Sequence, residues 1–113
     1  MVKSFAQALD LKNDPDLIRE YTMYHKQVWP EVKHALKDVG IEKMKIFLVG
    51  TRLFMYYETH DEFDPSHFKL YTSLTPKASE WDNLMKKFQE KIREASETDW
   101  WAPMDLVFDL NWE

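Results

Sequence analysis

Tyr21 and His25 stand four residues apart in the run Tyr21-Thr22-Met23-Tyr24-His25-Lys26-Gln27-Val28-Trp29-Pro30-Glu31. On a helix, residues at that spacing share a face. Here the shared face also carries Leu17, Ile18, Tyr24, Val28 and Trp29, so it is the apolar one. Histidine titrates near neutrality and can both give and take a proton. A tyrosine hydroxyl beside it can donate or relay. The pair is therefore a candidate for proton transfer. The alternative reading is a core histidine, hydrogen-bonded and inert.

Other side chains compete less well. Trp81 heads an apolar helical stripe and reads either as core or as a wall against a ligand. Trp100-Trp101, in a polar stretch, read as an interface anchor or a pocket rim. The segment His60-Asp61-Glu62-Phe63-Asp64-Pro65-Ser66-His67 holds metal-ligating residue types but matches no ligand motif, so a solvated loop is expected and no metal. The chain has no cysteine, which excludes disulfides, cysteine-based zinc sites and thiol chemistry. Its 2 glycines, Gly40 and Gly50, fall at capping and turn positions rather than in a phosphate-binding loop. No glycine-flanked nucleophilic serine appears.

The 113 residues are read as one domain, 1–113. The hydrophobic share of 44% and charged share of 31% argue for a globular chain. The net charge of -5, without a basic cluster, argues against nucleic acid. No stretch approaches membrane-spanning length and no apolar signal region opens the chain, so a cytoplasmic protein is expected. The aromatic share of 15% is high. Aromatic rings fill cores and interfaces, and they also wall sugar sites, because the apolar face of a pyranose packs on a ring.

Elements that would position the histidine follow from the periodicity. Lys3 to Leu9 alternates as a strand, with Phe5, Gln7 and Leu9 on one side. Asn13-Asp14-Pro15 reads as a helix start. An amphipathic helix follows, kinked or restarted at Pro30 and closed by Gly40. Met44–Val49 and Arg52–Glu58 read as strands joined by a two-residue II′ turn at Gly50-Thr51. Glu62 to Thr75 reads as loop with a short helix. Trp81, Leu84, Met85, Phe88, Ile92 and Ala95 mark a second amphipathic helix. Met104, Leu106, Phe108 and Leu110 alternate with Asp105 and Asp109 as a last strand. The order βαββαβ predicts an α+β, ferredoxin-like antiparallel sheet with two helices on one face. The other face also carries apolar residues, so a homodimer of the α+β barrel type is expected.

The run Tyr21-x-x-x-His25-x-x-Val28-Trp29-Pro30-Glu31 resembles the signature of the L-rhamnose mutarotases. The likeness continues through Gly40-Ile41, Leu53-Phe54, Trp81 and Val107-Phe108-x-Leu110, in the right order over nearly the whole chain. The resemblance implies the same fold, a homodimer and interconversion of the α and β anomers of a 6-deoxy sugar without a cofactor. It implies that His25 is the catalytic proton donor and Tyr21 a substrate contact. Trp81 carries over as a further contact. Met44 stands where those enzymes carry a tyrosine, and Glu80 stands where they carry the first of two tryptophans. These two departures leave the sugar open between L-rhamnose and L-fucose. Other proteins of the α+β barrel type are small monooxygenases or ligand-binding modules, and fold alone does not choose between the classes.

Overall fold

The structure is a computed structural model and describes residues 2–112. Strand β1 (Val2–Leu11) leads through Asp14 into helix α1 (Pro15–Tyr24). Asp14 caps that helix by accepting from the backbone N–H of Asp16 and Leu17, and Pro15 occupies a first-turn position where a missing N–H costs nothing. Helix α1 ends at Tyr24, with His25 as its C-cap, and α2 (Pro30–Asp38) begins five residues later. His25 is thus at the helix terminus and not within it. The reason lies in Pro30: its ring disfavours helical backbone in the preceding residue, and Trp29 adopts φ -57, ψ 135. The chain restarts at the proline, as the sequence suggests, and His25, still in helical backbone at φ -77, ψ -7, keeps its ring beside Tyr21 one turn before it.

Gly40 closes α2 with φ +109, and a Cβ there would collide with the imidazole of His60. Strands β2 (Ile41–Val49) and β3 (Arg52–His60) form a hairpin in which Val49 faces Arg52 across Gly50-Thr51. Gly50 has φ +59 and no non-glycine residue described has positive φ, in keeping with a II′ turn. Burial alternates along β3, where Leu53, Met55, Tyr57 and Thr59 are buried. A 3₁₀ segment, Pro65–Ser73, precedes α3 (Pro76–Lys86). Strands β4 (Gln89–Glu90) and β5 (Ala102–Met104) complete the sheet.

The sheet order is β2-β3-β1-β4, antiparallel throughout, with β5 also paired to β1. This is the α+β arrangement that the element order predicts. Leu9, Leu11 and Leu53 of the sheet pack with Val32, Ala35, Ala78, Trp81 and Met85 of the helices. Among the described residues no helix is long and apolar enough to cross a membrane.

Two expected elements differ. The second amphipathic helix ends at Lys86 rather than reaching Ala95. The free edge of β1 captures the chain: Gln89 pairs with Leu11, and Lys12 donates to the Phe88 carbonyl. Phe88 and Ile92 are still buried, but Ile92 packs with Ala8 and Ala102 instead of on a helix stripe. The last strand is Ala102–Met104, not Met104–Leu110. It pairs with Ala6–Ala8, so β4 and β5 share the edge expected for one longer strand. Leu106, Val107, Phe108 and Leu110 lie beyond the sheet and are exposed.

Candidate active site

Between α1, α3, the sheet and the 3₁₀ segment lies a cavity of about 780 Å³, open at one side. That size falls within the roughly 300–1,000 Å³ typical of small-molecule sites. Tyr21, His25, Met44 and Trp81 all line it. Glu80 does not; it is exposed on α3 and its carboxylate pairs with Lys77 at 3.4 Å. The fold therefore brings together four of the five candidate residues and leaves Glu80 at the surface.

His25 is half-buried. Its Nδ1 lies 2.9 Å from the backbone carbonyl of Tyr21. A carbonyl only accepts, so the hydrogen resides on Nδ1 and the lone pair on Nε2 is left uncommitted by this bond. The ring lies against Tyr21, tilted by 32° with centroids 4.2 Å apart, and meets the Trp81 indole edge-on at 5.4 Å. Tyr21 and His25 thus pack ring on ring, and their hydrogen bond runs to the Tyr21 backbone. Burial holds the His25 pKa below its ordinary 6.5, more than the bond to Tyr21 raises it. At pH 7 the imidazole is neutral and able to act as a base.

This shift couples to stability. The unfolded histidine takes up its proton near pH 6.5, before the native one does, so acidification favours unfolding. The stability held above pH 6.5 is expected to fall as the pH drops toward the native pKa. Urea denaturation at pH 7 and pH 5.5 measures it, and His25→Gln is expected to lose less stability over the same interval.

Tyr21 is buried, and loss of water pushes its hydroxyl up to about 12. Its oxygen accepts from Gln89 Nε2 at 3.4 Å, which leaves its own hydrogen available to donate. Gln89 is oriented by Trp100, whose indole N–H donates to Oε1 at 2.7 Å. An indole nitrogen can only donate, so the amide orientation is determined. Gln89 is one of two buried polar residues among those described. Gln89 lies outside the apolar helical stripe and carries no signal in the sequence; its role arises because β4 places it at the sheet edge. Trp100 and Trp101 both line the cavity, as the rim reading anticipates.

A second polar group lies on the same wall. The Tyr71 hydroxyl donates to Asp82 Oδ1 at 3.0 Å, and Lys86 Nζ sits 3.2 Å from Asp82 Oδ2. Burial first, then the Asp82 charge, raises the Tyr71 pKa far above its ordinary value. In the 60–67 segment, His67 and Asp64 instead cap the 3₁₀ segment. Among the described residues no group of three His, Cys, Asp or Glu is placed to hold a metal ion.

A small α+β domain, with helices over an antiparallel sheet and an aromatic cavity holding a neutral histidine, is the class these features define. The family described as L-rhamnose mutarotase matches residues 4–110, and the chain belongs to that family. It is 63% identical to a UPF0734 protein of Dictyostelium discoideum, over 97% of this chain and 91% of that one. It is 31% identical to the L-fucose mutarotase of Xanthomonas campestris, over 91% of this chain and 84% of the relative. The crystal structure of an L-rhamnose mutarotase from Formosa agariphila shares the fold, with a TM-score of 0.68 at 20% identity, covering 96% of this chain and 98% of that one.

Proposed function

We propose that this protein interconverts the α and β anomers of a 6-deoxy-L-hexose, L-rhamnose or L-fucose, with His25 as acid and base and without a cofactor. One observation carries the reading: an imidazole, held through Nδ1 by the Tyr21 carbonyl, stands on the wall of a cavity lined by aromatic rings. Mutarotation needs little more. His25 Nε2 takes the proton of the anomeric hydroxyl, the bond between C1 and the ring oxygen breaks, and the imidazolium returns the proton to that oxygen. After rotation of the freed aldehyde, the same steps in reverse close the ring on its other face. Tyr21 donates a hydrogen bond that orients the sugar as charge develops on the ring oxygen. Trp81 and Met44 supply apolar walls. Glu80, on the surface, is left without a part.

The protein is also read as a homodimer. Leu106, Phe108 and Leu110 alternate with Asp105 and Asp109 as a strand would, yet a single chain offers them and Val107 nothing to pack against. Phe47 and Val49 are exposed on the sheet as well. Apolar surface of this extent marks an interface, and a second copy of the chain would cover it.

Saturation-transfer NMR on L-rhamnose and L-fucose tests the activity. Catalysed exchange of at least one sugar at micromolar protein is the expected result, and acceleration of neither ends the proposal. Analytical sedimentation of the same sample is expected to return twice the chain mass.

A further inference from the structure

We infer that Asp82, braced by Tyr71 and Lys86, reads two adjacent hydroxyl groups of the sugar and so sets which 6-deoxyhexose is preferred. The inference rests on the mutarotase reading and deepens it. Two described carboxylates line the cavity, Asp82 and Asp99. Asp99 is engaged by its own loop, where Ser96 Oγ donates to it at 2.9 Å. Asp82 is placed differently. Each of its oxygens has one protein partner, Tyr71 on Oδ1 and Lys86 on Oδ2.

A carboxylate offers about four lone-pair directions. With one used on each oxygen, one on each is left to accept. Two parallel acceptors match two hydroxyls on neighbouring carbons, provided both lie on the same side or splay only moderately. The bracing groups complete the match. Tyr71 donates to Asp82, so its own oxygen still has acceptor capacity. Lys86 lies 5.6 Å from the centroid of the Trp100 ring, which holds the ammonium at the cavity mouth, and its remaining hydrogens can donate to a hydroxyl oxygen.

This arrangement discriminates by configuration. L-rhamnose and L-fucose differ at C2 and C4, so they present their adjacent hydroxyl pairs on different edges of the ring. A sugar offering only one hydroxyl in reach covers the carboxylate but leaves the second acceptor position of its other oxygen unfilled. Such a mismatch costs more than the lost bond itself. The family resemblance singles out Glu80, at the place of a tryptophan, but the helix turns that residue outward and Asp82, two positions on, into the cavity.

The test compares wild type, Asp82→Asn, Asp82→Ala and Tyr71→Phe. Exchange rates and calorimetric binding constants are measured for L-rhamnose and L-fucose with each. Wild type is expected to prefer one sugar by about tenfold or more in kcat/KM and in affinity. Asp82→Ala is expected to weaken the preferred sugar by about tenfold and bring the ratio within about threefold of unity, with Asp82→Asn and Tyr71→Phe between. General loosening of the fold would lower both sugars together and leave the ratio in place. A wild-type ratio near unity, or a ratio unchanged in both Asp82 variants, overturns the inference while leaving the mutarotase reading intact. If wild type binds sugar without exchanging anomers, the mutarotase reading fails and the binding ratio alone decides the role of Asp82. If it binds neither sugar, both fail.

Discussion

His25→Ala is expected to slow anomer exchange by about 10²–10⁴-fold, the contribution usual for one well-placed acid and base. The imidazole is partly buried, but its removal leaves the Tyr21 carbonyl with the partner it keeps in any case, the His25 backbone N–H at 3.2 Å. The variant should therefore still melt cooperatively, and the lost rate should appear chiefly in kcat. In the wild type, kcat/KM should be level above pH 6.5 and decline in acid, because protonation of His25 removes the base. The low native pKa places that decline below 6.5. Saturation-transfer exchange on the preferred sugar, with and without the substitution, decides the matter. A variant as active as wild type would remove His25 from the mechanism, and one that fails to fold is replaced by His25→Gln.

Trp81→Ala is expected to cost about 3 kcal/mol of stability, the low end of the range for truncating a buried large aromatic. The side chain is 5% exposed, and its ring meets Tyr24, His25 and Trp29 edge-on at 5.2–6.1 Å between centroids. It belongs at the low end because part of its surface already faces the cavity, so fewer packing contacts are lost. At a urea slope of about 1.5 kcal/mol/M, the unfolding midpoint would drop by about 2 M. Sugar exchange should fall as well, since His25 loses the ring that fixes its angle. Trp81→Phe is expected to recover most of the stability. If Trp81→Ala shifts the midpoint by less than about 0.5 M, the ring is a ligand wall alone and not core.

For Trp81 the two sequence-level readings, core and wall, turn out to be compatible. One side of the indole packs against α1 and the start of α2, and another faces the cavity. Trp100 behaves similarly: half-buried, it lines the cavity and fixes Gln89. Periodicity shows that such a ring points inward. It does not show whether the space inside is filled.

The sequence by itself determined what depends on neighbours along the chain. The strand over Arg52–Glu58, the cap at Asp14, the turn at Gly50-Thr51 and the restart at Pro30 are set by a few adjacent residues, and all stand in the structure. The association of Tyr21 with His25 is of the same kind, because four residues of chain keep them within one turn. Only the tertiary structure decided the rest. It ended α3 at Lys86 because the open edge of β1 offered hydrogen bonds to Gln89 and Phe88. It released the apolar residues after Met104 from the sheet. It also brought Tyr71, Asp82, Gln89 and Trp100 to the cavity that holds His25. Gln89 is 68 residues from Tyr21, whose hydroxyl it reaches. Contacts over such separations arise from the pairing of strands and the packing of helices, and no local pattern of residues encodes them.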